Sequence, residues 1–178
     1  MNGDSRIMTN TQSYLDFKDP KVKAALSTWW EGLDEARGDR AMLRRCHSTT
    51  EVAFMPTYHR LRLSLERIGH VDPDRLALVA GVLSHLKENT RTKSTITFAQ
   101  QLATPKKDGD HAAMSGLRFR RLLQVEHPDD LYQAMIRAVR LLGGAADIDT
   151  LANGVYWWNE MTKKNWAFEY YEKAPNED

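Results

Sequence analysis

Asp72-Pro73-Asp74-Arg75-Leu76-Ala77-Leu78-Val79-Ala80-Gly81-Val82-Leu83-Ser84-His85-Leu86 is the stretch on which the fold turns. An aspartate followed by proline is a helix start: the carboxylate caps the free N–H groups, and proline at the first helical position gives up none that the helix needs. Leu76, Val79, Ala80, Leu83 and Leu86 then recur at helical spacing, and Leu78 and Val82 widen the stripe until little of the surface is polar. A helix apolar on most sides is a buried helix. The spacing therefore predicts a helix running to about Asn89, at the centre of an N-terminal bundle.

Upstream, Asp19-Pro20 repeats the signal, and Val22, Leu26, Trp29, Trp30 and Leu33 follow at helical spacing to a stop before Gly38. Two adjacent tryptophans can stack on bases, but their register with Leu26 and Leu33 assigns them to the core. Asp39 caps a short helix that places Arg40 and Arg44 on one face. That like-charge pair costs an isolated helix about 0.2–0.5 kcal/mol, so an internal carboxylate or a bound phosphate is expected to offset it. Ser48 and Glu51 have the spacing of a capping box, and Tyr58, Leu61, Leu65 and Ile68 trace a further helix that Gly69 ends.

Downstream, Thr97 to Ala103 is a short helix, and Thr104-Pro105-Lys106-Lys107-Asp108-Gly109-Asp110 has the composition of an exposed connection. Beyond it come a helix around Phe119, one opened by Pro128 and ended by Gly143-Gly144, one capped by Asp147 or Asp149, and a last one over about 162–172. The expected class is all-α, with eight or nine helices in two packed lobes and no sheet. The expected division is a flexible arm over 1–18, an N-terminal helical lobe over 19–103, a linker over 104–112 and a C-terminal helical lobe over 113–178. Trp29, Trp158 and Trp166 are expected to be mainly buried.

With 42% apolar and 28% charged residues among 178, the chain has the composition of a globular protein. It contains no apolar run of the ~20 residues that would cross a bilayer and no signal-peptide core, so a cytoplasmic protein without membrane contact is expected. The single cysteine, Cys46, can form no internal disulfide and reads as a small buried group. The net charge of +1 conceals a segregation. Residues 91–121 carry seven basic side chains against two acidic, and residues 122–178 carry five basic against ten acidic. A basic segment within a near-neutral chain suits local anion binding.

The sharpest part of that segment is Ser115-Gly116-Leu117-Arg118-Phe119-Arg120-Arg121-Leu122-Leu123. On a helical wheel Phe119, Leu122 and Leu123 face the core. Arg118 and Arg121 then stand one turn apart on the flank and back, and Arg120 on the opposite flank. No acid within the nonapeptide pairs them, so they are solvated, paired through the tertiary fold, or held for an anionic partner. Motifs for catalysis are missing: no phosphate loop, no His-Glu-x-x-His, no Gly-x-Ser-x-Gly, no Cys-x-x-Cys, and no two of the six histidines four apart. Asp108 and Asp110 flank Gly109 as solvated loop acids more simply than as cation ligands. Binding is the default reading, with no catalytic residue, metal or cofactor.

Taken in order, several pieces resemble the CasB family, the small subunit of the type I-E CRISPR surveillance complex called Cascade. They are Trp29-Trp30 with Leu33, Arg40-Ala41-Met42-Leu43-Arg44-Arg45, Pro56 through Leu61, Phe98 to Ala103, Arg118 to Leu123, and Trp157-Trp158 with Trp166 to Tyr171. The resemblance implies an all-helical, two-lobed protein that is not an enzyme. Two copies lie head to tail between the large subunit and the guide-RNA-bearing backbone subunits, and help hold the unwound target DNA and its displaced strand. It also implies that nucleic acid meets Arg44 or Arg45, Arg118, Arg120 and Arg121, with Arg91 and Lys93 beside them. The alternative is a helical scaffold whose basic patch binds acidic protein partners, including a second copy of itself.

Overall fold

The computed structural model describes residues 13–175. Among them ten helices follow in order: α1 (Pro20–Glu35), α2 (Arg37–Arg45), α3 (Thr49–Ala53), α4 (Pro56–Glu66), α5 (Pro73–Leu83), α6 (Phe98–Ala103), α7 (Gly116–Leu123), α8 (Pro128–Leu141), α9 (Ile148–Tyr156) and α10 (Glu160–Lys173). Two strands of two residues each, β1 (Glu88–Asn89) and β2 (Ala145–Ala146), pair in parallel. The class is all-α, and that short ladder is the one departure from a sheet-free chain among the described residues.

Helix α5 is the centre of the molecule. The Asp72 carboxylate accepts from the N–H groups of Asp74 and Arg75, and every residue from Leu76 to Leu83 is buried. The helix packs against α3, α4, α8 and α9. Each of its buried leucines and valines contributes about 1.5–3 kcal/mol over an exposed one. Gly81 is needed for the approach of α8, because a Cβ there would lie 2.5 Å from the ring of Tyr132. The helix stops at Leu83, earlier than its apolar stripe indicates. Leu86 is still buried, but the N–H groups of Lys87 and Glu88 both donate to the carbonyl of Gly144, at 2.8 and 3.2 Å. The backbone is claimed by β2 before another helical turn can form.

The buried apolar residues, from Leu15 to Tyr170, form one continuous cluster. Of the arm expected over 1–18, residues 1–12 lie outside the described residues; within the remainder Leu15 and Phe17 are buried, and residues 13–15 bond with His70. The 104–112 segment is exposed over most of its length. Its ends are joined by the amides of Ala113 and Met114, which donate to the carbonyls of Thr104 and Leu102. Trp166 is buried as expected, whereas Trp29 and Trp158 are only half-buried. Their indole N–H groups donate to the backbone carbonyls of Thr57 and Val125, at 2.9 and 2.8 Å. An amphipathic ring with a satisfied polar edge can rest at the rim of a core without being enclosed by it.

Candidate nucleic-acid interface

The orientation of α7 is set by one ring. Phe119 is fully buried and stacks on Tyr170 of α10, with centroids 3.9 Å apart and planes 9° from parallel. The Tyr170 hydroxyl in turn donates to the Met114 carbonyl at 2.6 Å. With Phe119 and Leu122 turned inward, Arg118 and Arg121 turn outward. Helix α8 does the same from the other side: Leu131, Met135, Ala138 and Val139 are buried, so Arg137 and Arg140 project to the surface.

The two arginine pairs face a common groove of about 670 Å³. Lys106 adds a fifth cation, and the floor between them is aliphatic, made by Met114, Leu122, Val125, Ala134 and Leu141. Among the described residues none of these five cations forms an ion pair. The groove continues past Arg121 and Arg137 into a polar hollow bordered by Gln124, Glu126, His127 and Asp130. Past Lys106 it continues into one bordered by Thr90, Gln101 and Thr104. An aliphatic floor with guanidinium groups along both walls suits an anion that carries apolar surface of its own, such as a sugar–phosphate chain.

A second basic cluster lies on α2, where Arg37, Arg40, Arg44 and Arg45 border a hollow of about 570 Å³. The Arg40–Arg44 pair is offset as the sequence requires, by an internal carboxylate. Arg40, with a side chain only 11% exposed, reaches Asp34 at 2.6 Å and lies over the Trp30 ring at 5.4 Å. Arg44 donates from Nε to the Ser84 carbonyl at 2.7 Å. Burial, and then the charge of Arg40, lowers the pKa of Arg44.

The remaining sequence-derived candidates go elsewhere. Arg120 points away from the groove, with Nη1 3.3 Å from the Tyr171 hydroxyl. Arg91 donates from Nη1 to both oxygens of Asp149, at 3.3 and 3.0 Å. Lys93 bonds to Glu88 at 2.8 Å, which raises its pKa. Arg137, Arg140 and Lys106 are the groove residues that sequence reasoning missed. The available signal was an arginine pair three apart on the polar side of the α8 stripe, and it was hidden by averaging over an acidic C-terminal third. Among the described residues no cluster of histidine, cysteine or carboxylate groups could hold a metal, and no helix is long and apolar enough to cross a membrane.

Comparison with known proteins bears on the fold and the family. No curated protein matches the chain. Its fold is similar to that of a chain in the crystal structure of E. coli Cascade bound to a PAM-containing dsDNA target, with a TM-score of 0.59 and 19% identity. The match covers 84% of this chain and 94% of that one. Residues 39–171 match the family model for CRISPR-associated protein Cse2, the family also called CasB. That span runs from within α2 nearly to the end of α10 and takes in Arg40, Arg44 and Arg45 as well as the α7–α8 groove, and the chain belongs to the Cse2 family.

Proposed function

We propose that this chain is the non-catalytic small subunit of a type I-E Cascade complex, and that it stabilises guide RNA–target DNA pairing and the displaced strand in antiviral defence. Its partners are the large and backbone subunits, a second copy of itself, the guide RNA and the target DNA. The observation that carries the reading is the groove between α7 and α8, whose five cations form no ion pair among the described residues while Arg40, Arg91 and Lys93 do. In RNA-guided recognition base pairing reads the sequence, and a helper subunit needs only positive charge on a rigid frame. A groove lined by cations and aliphatic side chains fits backbone binding, since guanidinium and ammonium groups pair with phosphate oxygens and no aromatic ring lines the groove to stack on a base.

The test is the Arg118→Ala/Arg121→Ala double variant within the assembled complex, with target-DNA binding measured at several salt concentrations. Each phosphate that is no longer neutralised flattens the log–log salt slope by about 0.7 for a single strand or 0.9 for a duplex, so a change of roughly one to two units is expected together with weaker binding. Intact assembly with unchanged affinity and slope would remove the groove from the nucleic-acid path. Failure to assemble, with an unchanged slope in any residual complex, would favour acidic protein surfaces as the occupants.

A further inference from the structure

Ahead of α1 the chain is packed by a segment that belongs to no helix. Over residues 14–17 the side chains alternate: Tyr14 and Asp16 are exposed, whereas Leu15 and Phe17 are buried to 3% and 2%. That is the period of a strand, and the segment pairs as one. The His70 amide donates to the Ser13 carbonyl at 2.8 Å and the Leu15 amide to the His70 carbonyl at 3.3 Å, which makes a parallel bridge between Tyr14 and His70. The slot that receives the segment is built from the α4–α5 turn and the end of α9. Phe17 lies 5.1 Å from the Tyr156 ring, and Tyr14 stands edge-on to Trp157 at 6.4 Å. Gly69 is fitted to the segment, since a Cβ there would stand 2.8 Å from the Ser13 carbonyl oxygen. Tyr156 is held by a bond that does not involve the segment, its hydroxyl accepting from the Asp72 amide at 2.7 Å.

We propose that this slot is a strand-acceptor site whose second occupant is the 13–17 segment of another copy of this chain, so that neighbouring copies are tied together by segment exchange. The segment is anchored by two buried side chains and two backbone bonds, few enough for it to open while the helices stay packed. Its tether is local. Asp16 turns the chain by accepting from the Lys18 amide on its carboxylate at 2.8 Å and from the Asp19 amide on its carbonyl at 3.0 Å, and Asp19 then caps α1. Opening that turn swings the segment out and leaves α1 in place. The vacated slot presents the pockets of Leu15 and Phe17 beside the N–H and C=O of His70, a pattern that takes an extended peptide with apolar residues two apart. The peptide known to fit it is the one seated there, and every copy carries it. The segment precedes the span shared with the family model. The inference rests on the second copy in the proposed function, not on the groove, and adds how one copy holds the next.

The experiment mixes two full-length variants in a Cys46→Ala background, Tyr14→Cys and His70→Cys, with oxidised glutathione as the oxidant that takes up the two thiol hydrogens. Both positions are exposed, and paired strands stand about 5 Å apart, within the range of a disulfide. Neither chain alone contains the 14–70 pair, so that disulfide reports the segment of one chain in the slot of the other. Closure on the chain's own slot competes at an effective concentration on the order of millimolar, so at about 0.1 mM protein the exchanged form is about 1–10% of chains, and trapping accumulates it. The expected product is a 14–70 linked heterodimer, lost when Gly69→Ala is added to the His70→Cys chain, with a melting curve to check the fold. No heterodimer, a yield that Gly69→Ala leaves unchanged, or an equal yield when Lys18→Cys replaces Tyr14→Cys would overturn the proposal. Hydrogen exchange of the wild-type chain supplies a check free of substitutions. The Leu15 and His70 amides should exchange faster than those of α5, and exchange only through global unfolding would overturn it as well. Such a failure leaves the Arg118/Arg121 test, and the proposed function, standing.

Discussion

Replacing Arg91 by alanine is expected to destabilise the fold and to leave nucleic-acid affinity where it was. The Asp149 side chain is 7% exposed and accepts on both oxygens from Nη1 of Arg91, whose own side chain is 37% exposed. Removing one partner of a fully buried ion pair costs about 3–5 kcal/mol. Here Arg91 is partly solvated, and Lys23 stands 4.0 Å from the same carboxylate. The loss therefore belongs nearer the cost of an under-satisfied polar group, about 1–3 kcal/mol. For a chain of this length each kcal/mol moves Tm by roughly 2–4 °C, so a fall of about 2–12 °C is expected. Thermal melting gives the first number, and salt-dependent DNA binding of the same preparation gives the second. An unchanged Tm with weakened DNA binding would show that Arg91 serves nucleic acid and that its bond to Asp149 is incidental.

Gly154→Ala should lower Tm by roughly 2–12 °C, since overpacking costs about 1–3 kcal/mol: the new Cβ would lie 2.3 Å from the Trp166 ring, which Phe98 and Trp158 hold from other sides. A melting curve within a degree of wild type would refute it. His85 titrates near 4 when folded and near 6.5 when unfolded, so the unfolded chain binds more protons between those values and stability, full above about 6.5, falls as pH drops toward 4. His85→Gln should flatten the denaturant midpoint against pH in that window, and superimposable profiles would count against the buried neutral ring. Arg118→Gln is expected to raise Tm by about 1–4 °C at low ionic strength, and a decrease would contradict the electrostatic argument for the groove.

Much of the fold is legible in the sequence because its helices carry their own signals. Asp19-Pro20, Asp72-Pro73 and Ser48 ahead of Glu51 are local caps, and in the structure each of the three cap side chains accepts from an N–H of its helix. The end of α5 is not local: the ladder that stops it depends on Gly144, nearly sixty residues away, and no period in 73–89 encodes that. The site divides in the same way. Arg118 and Arg121 can be read from one helix, because Phe119 and Leu122 fix the face. Arg137 and Arg140 become site residues only when α8 is laid beside α7. Arg91 shows the converse: by composition it belongs to the basic segment, but a buried aspartate on α9 takes its charge.

What separates the groove arginines from the structural ones is the carboxylate partner they lack among the described residues. Cations in the last turn of a helix favour its dipole by about 0.3–1 kcal/mol, and that would account for Arg44 and Arg45 on α2, Arg121 on α7 and Arg140 on α8 as ordinary C-terminal residues. It does not account for Arg118, which stands in the first turn of α7, where the same dipole opposes a cation. Nor does it account for arginines three apart on each wall of one groove, each pair costing about 0.2–0.5 kcal/mol. Together these terms come to about 1–2 kcal/mol, against a total stability on the order of 5–15 kcal/mol. Elsewhere the chain relieves such repulsion internally, as Asp34 does for Arg40. In the groove it does not. A phosphate chain would relieve it at every position at once, and that makes the unpaired arrangement coherent as a binding surface where it is costly as a fold.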